Sequence, residues 1–244
     1  MGIPPDHVFR LGLTSVNAYL VDDGEVTLVD AGTPWDAEQL EAQLEGAGTG
    51  YAVADVDRVL VTHYDLDHVG TLAELPFDAP VYAADPDASY LDGSATPPLT
   101  PHKALSQRVG GLFVSTPDLP VRRVGDREEV GGFTAFRTPG HTPGHTAYVH
   151  RAFGVAFVGD MVTESDGDLA PSSWFTAYST AENAASVGRF AVALSPGGPE
   201  VLAVGHGDPV REGGTERLRR VALGDPDRSD DASREGGRGT TRGG

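Results

Sequence analysis

Seven side chains able to bind a divalent metal ion stand in four short clusters of this 244-residue chain. Thr62 to His68 supplies His63, Asp65, Asp67 and His68; His141 follows Pro139-Gly140, Asp160 follows Gly159, and His206 follows Gly205. Imidazole and carboxylate are the groups a divalent transition metal takes where thiolate is lacking, and this chain has no cysteine. Disulfides, thiolate ligands and a cysteine nucleophile are excluded with it. Seven ligands suffice for two ions that share one carboxylate, and the glycines let the backbone turn tightly beside them.

Each cluster lies just beyond an apolar run that reads as a strand, so sheet ends can gather all four in space. Strands are expected at 17–21 and 26–30, joined by an Asp22-Asp23-Gly24 hairpin, and at 56–62, 81–83, 133–137, 147–150, 155–158 and 200–204. Thr33 is a suitable N-cap and Pro34 a suitable first residue for a helix that sets Trp35, Leu40 and Leu44 on one stripe and stops at Gly46. Further helices are expected at 69–75, where Asp67 could act as the cap, at 102–113 over the site, and at 181–194. Residues 85–100, rich in Pro, Asp, Ser and Thr, read as a loop. The expected organisation is one domain over 1–223 and a disordered tail over 224–244, where almost no apolar residue is left to order the chain.

Composition narrows the partners. Eighteen Lys+Arg against 36 Asp+Glu give a net charge of −18, and Lys103 is the only lysine. Such a surface repels phosphate backbones and anionic membranes, so nucleic-acid and membrane partners are not expected and a small molecule is. Dense carboxylates with few lysines also suit multimolar intracellular salt, which screens their repulsion. The sequence offers no apolar run long enough to span a bilayer and no leader at its start, so a cytoplasmic address and a salt-adapted host are the expectations.

Taken in order, His-x-Asp-x-Asp-His, then TPGH, GD and GH resembles the metallo-β-lactamase superfamily over roughly 17–208. The usual first motif is His-x-His-x-Asp-His. His63, Asp67 and His68 match it, while Asp65 stands where a second histidine is expected. Some lactonase-like members carry a carboxylate there, and flavodiiron proteins carry a Glu. The resemblance implies an α/β fold of the αβ/βα sandwich type, with the site at the edge where two sheets meet. It also implies one metal on His63, Asp65 and His141, a second on Asp67, His68 and His206, and Asp160 between them. Asp67 and Asp160 are then the carboxylates nearest the chemistry.

The activity implied is hydrolysis of a small ester, lactone or thioester by water activated between two divalent ions. Zinc is the first expectation. Asp65 adds a hard oxygen and a negative charge, which opens the site to iron or manganese. The alternative is an iron-dependent oxidoreductase resembling sulfur dioxygenases, because fold alone does not fix the reaction.

Other residues have two readings. Asp30, at the end of Leu28-Val29-Asp30, resembles the superfamily's strand-end aspartate that supports the metal loop, or is a plain turn residue. His145, four residues after His141, reads as a supporting partner of the ligands rather than a ligand. Trp174, Phe175 and Tyr178 either wall a substrate pocket or pack in the core. His7, His102 and His150 read as ordinary histidines.

Overall fold

The computed structural model describes residues 7–46, 49–98, 107–173 and 175–224. Residues 225–244 of the tail expected over 224–244, Lys103, His102, Trp174 and the first part of the 102–113 helix lie outside them.

Strands β1 (Val8–Gly12), β2 (Asn17–Asp22), β3 (Val26–Val29), β4 (Arg58–Leu60), β5 (Val81–Ala83) and β6 (Val121–Arg123) form one sheet in that spatial order. The first three are antiparallel and β3 to β6 are parallel. A second sheet runs β13 (Val201–Val204), β10 (Val155–Gly159), β9 (Thr146–His150), β8 (Phe133–Arg137) and β7 (Glu129–Val130). There β10 and β13 are parallel and the other pairs antiparallel. A small hairpin of β11 (Val162–Ser165) and β12 (Asp168–Pro171) stands apart.

Both faces of each sheet are covered, so the central strands are apolar at nearly every position. Because strand side chains alternate, Ala18 and Leu20 of β2 join a core with α1 (Ala37–Gly46), while Tyr19 and Val21 enter a core between the sheets. Likewise Phe157 of β10 meets Tyr19 between the sheets, while Ala156 and Val158 face Phe190 and Leu194 of α4 (Thr180–Leu194) and Leu218 of α5 (Gly214–Ala222). Helix, sheet, sheet, helix is the expected four-layer sandwich. No described helix is long and apolar enough to cross a membrane.

The 22–24 hairpin and the strands that precede the metal motifs form where expected. Several local readings need correction. Pro34–Asp36 is a tight 3-10 turn before α1, which breaks the helical period, so Leu40 and Leu44 are buried but Trp35 is 70% exposed and rests near Phe113. The helix expected at 69–75 starts earlier, as α2 (Leu66–Val69) followed by a 3-10 turn Gly70–Ala73; Asp65, not Asp67, takes the N-cap position, without a capping bond from its side chain. The 85–100 segment is not all loop, since α3 (Asp87–Leu91) lies in it and buries Ala88 and Leu91. Of the 102–113 helix, the described part holds one helical turn at 107–110, after which Gly110-Gly111 ends it.

Candidate metal centre

The parallel strands β3 and β4 end side by side. Asp30 follows β3 and Thr62-His63 lies just past β4, with Asp30 N–H donating to Leu60 O at 3.0 Å. In the second sheet, β10 runs into Asp160 and β13 into His206, with Gly205 N–H donating to Gly159 O at 3.0 Å. The 139–145 turn between β8 and β9 supplies His141, and Thr146 N–H donates to Thr62 O at 2.8 Å across the seam. Sites at the carboxyl ends of parallel strands are a general consequence of such topology.

The seven residues singled out from the sequence converge here. Asp65 Oδ2 lies 3.2 Å from His63 Nε2 and 3.1 Å from His141 Nε2. Asp160 reaches His68 Nε2 at 3.5 Å, His141 Nε2 at 3.6 Å and His206 Nε2 at 3.2 Å. Asp67 Oδ2 lies 3.4 Å from His206 Nε2. Three groups are close enough to hold an ion: His63, Asp65 and His141; His63, His68 and Asp160; and Asp67, His68 and His206. His145 is in none of them, though its ring centroid is 5.2 Å from that of His63.

The four clustered imidazoles are oriented from behind, through Nδ1. His206 Nδ1 donates to Ser15 O at 2.7 Å, and His68 Nδ1 lies 2.9 Å from Asp30 Oδ2. Thr62 Oγ1 donates to Asp30 Oδ2 at 2.8 Å, so its lone pair is left to accept from His63 Nδ1 at 2.9 Å. Ser172 Oγ donates to Asp160 O and thereby accepts from His141 Nδ1 at 3.0 Å. These partners take up Nδ1 and turn Nε2 inward, where its lone pair binds a cation once the ring is neutral. His63 Nε2, His68 Nε2 and Asp160 Oδ1 are then buried with no hydrogen-bond partner. Orphaned acceptors of this kind carry a desolvation cost, and divalent cations are the groups that satisfy a cluster of imidazole nitrogens and carboxylate oxygens together. The donor set fits the ions expected.

Electrostatics point the same way. Burial opposes charge on His206, yet Asp160 and Asp67 overrule it and raise its pKa to about 10. Burial likewise opposes a charged His68, but Asp30, Asp160 and Asp67 hold it well above the ordinary histidine value. Asp160 is held well below the usual carboxylate range, since His68 and His206 outweigh its burial. The negative potential attracts a cation, which displaces protons as it binds. His145 behaves oppositely: burial, then His63 and His141, push it well below the ordinary value, and Thr138 Oγ1 holds its Nδ1 at 2.8 Å.

A cleft of about 390 Å³ opens on Asp65, Asp67, His141, Asp160 and His206, with Thr163, Ser172 and Thr176 completing its wall. Tyr178 turns towards Gln107, its hydroxyl 2.5 Å from Gln107 Oε1, and Phe175 is 67% exposed. Sequence reasoning missed Ser15 and Ser172, which touch the imidazoles, and Asp87, which is buried behind them. The threonine directly before His63 was a usable signal; isolated serines far away in sequence were not. Gly205 has a steric reason, because a Cβ there would overlap Asp160 Oδ1 and crowd His68.

The sequence profile of the metallo-beta-lactamase superfamily matches residues 11–230. The chain belongs to the metallo-β-lactamase superfamily. Superfamily members bind divalent metals, and this one is similar to the uncharacterized protein YobT of Bacillus subtilis, 31% identical over 227 residues that cover 87% of this chain and 91% of that protein. It is also similar to hydroxyacylglutathione hydrolase GloC of Haemophilus influenzae, 27% identical over 145 residues, covering 58% of this chain and 63% of that one. Among solved structures, TTHA1623 in a di-iron-bound form superposes with a TM-score of 0.60 at 29% identity, covering 83% of this chain and 93% of the other. The sandwich and the His/Asp cluster at its edge are thus the superfamily's metallo-hydrolase architecture.

Proposed function

We propose that this superfamily member hydrolyses a small ester, lactone or thioester with two divalent ions, one on His63, Asp65 and His141 and one on Asp67, His68 and His206, with Asp160 between them. The observation that carries the reading is the orientation of the imidazoles: each Nδ1 is engaged from behind, while His63 Nε2, His68 Nε2 and Asp160 Oδ1 face the centre without a partner. Bound ions supply an activated water at neutral pH and polarise the oxygen under attack. The chain's own groups do the remainder. Asp67 is held below the ordinary carboxylate range, its burial outweighed by His68 and His206, so it is ionised and able to accept a hydrogen bond from water. Thr163, Ser172 and Thr176 line the same cleft, where a small substrate would lie. The charge of −18 favours a small substrate over a nucleic acid.

A second reading is an iron-dependent oxidoreductase. Two observations favour it: the extra hard oxygen of Asp65 and the likeness to a protein solved with two irons. Both readings are tested by one experiment. The protein is loaded separately with zinc, manganese and iron, its metal content is measured, and each form is assayed on lactones, thioesters, simple esters and persulfides. Turnover of an ester, lactone or thioester supports hydrolysis. Turnover of a persulfide only, with iron only, replaces it with the second reading, and a metal content at or below one per chain removes the dinuclear site.

A further inference from the structure

Asp87 opens α3 and is 1% exposed, yet it is remote in sequence from every metal motif. Among the described residues, every hydrogen bond to its carboxylate comes from the two loops that carry His63, Asp65 and His141. Oδ2 accepts from Tyr64 N–H at 2.9 Å and from Thr142 Oγ1 at 2.6 Å, and Oδ1 accepts from Gly144 N–H at 2.8 Å. Tyr64 lies between His63 and Asp65, and Thr142 follows His141. The approach is as close as backbone allows, since a Cβ on Gly144 would overlap the Asp87 carboxyl. Arg137 ties the same segments a second time, donating to Asp85 O at 2.7 Å and Pro143 O at 3.0 Å. The second ion's group, Asp67, His68 and His206, is held by other partners, Asp30 and the Ser15 carbonyl.

We propose that Asp87 is a positioning residue for one ion only: it sets the spacing between the 63–65 and 141–144 loops and so the affinity of the His63, Asp65 and His141 site. This rests on the dinuclear reading above. Among the described residues all three groups that hydrogen-bond to Asp87 are donors, so its two carboxyl oxygens accept from all of them at once. An asparagine there must turn its own NH₂ towards a backbone N–H, Tyr64 or Gly144, and the two loops separate. Glutamate has no room against Gly144.

Cobalt(II)-loaded parent, Asp87→Asn and Thr142→Val proteins are titrated with a chelator while visible absorption is followed, and His141→Ala and His206→Ala give reference spectra for the two ions. Parent protein that binds two cobalt ions upholds the dinuclear reading; one that does not ends it, and this inference with it. Given two ions, Asp87→Asn should weaken the His63, Asp65 and His141 ion about 10–100-fold and shift its spectrum, with the other ion as in the parent. Thr142→Val, which removes one of the three bonds, should shift the same ion in the same direction by less. Equal weakening of both ions overturns the proposal, because that marks general destabilisation, and so does parent-like binding of both. If Asp87→Asn does not fold, Thr142→Val decides alone: a selective shift supports the proposal and parent-like binding overturns it.

Discussion

Asp30 Oδ2 sits 2.9 Å from His68 Nδ1, and the same oxygen accepts from Thr62 Oγ1 at 2.8 Å. One carboxylate oxygen therefore steers His68 directly and His63 through a hydroxyl. To do so Asp30 adopts a left-handed backbone, φ 59°, where a non-glycine residue carries strain of about 1 kcal/mol. Asparagine tolerates that conformation well, so Asp30→Asn tests the carboxylate and not the backbone. Both ions should weaken, about 10–100-fold each, in competition with a coloured chelator. Parent affinity at both would show that Asp30 merely shapes a turn.

Asp65 Oδ2 lies within 3.2 Å of both His63 Nε2 and His141 Nε2, the distance expected of groups that share an ion. Asp65→Ala should drop metal content from two ions to one, with the His63 and His141 ion lost first. Asp65→His raises the site's charge by one and replaces oxygen by nitrogen, so preference should move towards zinc and affinity for anionic substrates should rise. Competitive metal loading, and kinetics on neutral and anionic esters, read the two effects. If both variants load metals as the parent does, Asp65 is not a ligand.

Asp36 gives the pH dependence. It is buried, accepts from Thr14 N and Oγ1 at 3.2 and 2.6 Å and from Thr33 N and Oγ1 at 2.8 and 2.7 Å, and these donors outweigh burial to lower its pKa. A carboxyl whose pKa is depressed by folding stabilises the fold in full above its unfolded value and loses that contribution as pH falls through the folded one. Asp36→Asn should therefore be less stable than the parent by about 2 kcal/mol at neutral pH. The gap should close in acid, below the ordinary carboxylate range. Urea unfolding at a series of pH values measures it, and a gap indifferent to pH would refute the assignment.

The charge of −18 predicts salt dependence. Unscreened carboxylates repel, so lowering KCl from multimolar to millimolar should lower the midpoint of thermal unfolding followed by circular dichroism. A midpoint independent of salt would end the salt-adaptation reading and leave the catalytic one untouched.

The strands were legible because both sheets are covered on both faces, which writes them as apolar runs such as Val155 to Val158. The candidate ligands were legible because each cluster lies just beyond such a run. What hid was short or indirect. β1 alternates weakly, β6 has only three residues, and α5 is a charged amphipathic helix whose sequence reads as polar. α3 was masked by Pro86 and the aspartates around it, since its helicity comes from packing Ala88 and Leu91, not from propensity. The residues behind the imidazoles were invisible for a different reason: Ser15 meets His206 across 191 positions and Ser172 meets His141 across 31, and a hydroxyl or carbonyl leaves no pattern at such separations.

The strand that ends the second sheet does not dock on its neighbour alone. Asn17 Nδ2 donates to Val204 O and Gly207 O at 3.0 and 2.8 Å, Tyr19 hydroxyl donates to Val204 O at 2.8 Å, and His206 leans on the Ser15 carbonyl. The seat for the last ligand is thus cut by residues near the start of the chain. During synthesis from the ribosome, β2 emerges long before β13, so a nascent chain presents a finished receptacle and an unfinished centre. Until His206 emerges and docks, the group of Asp67, His68 and His206 lacks its last imidazole, so completing that group is an event of final closure, whereas His63, Asp65 and His141 are all in place earlier.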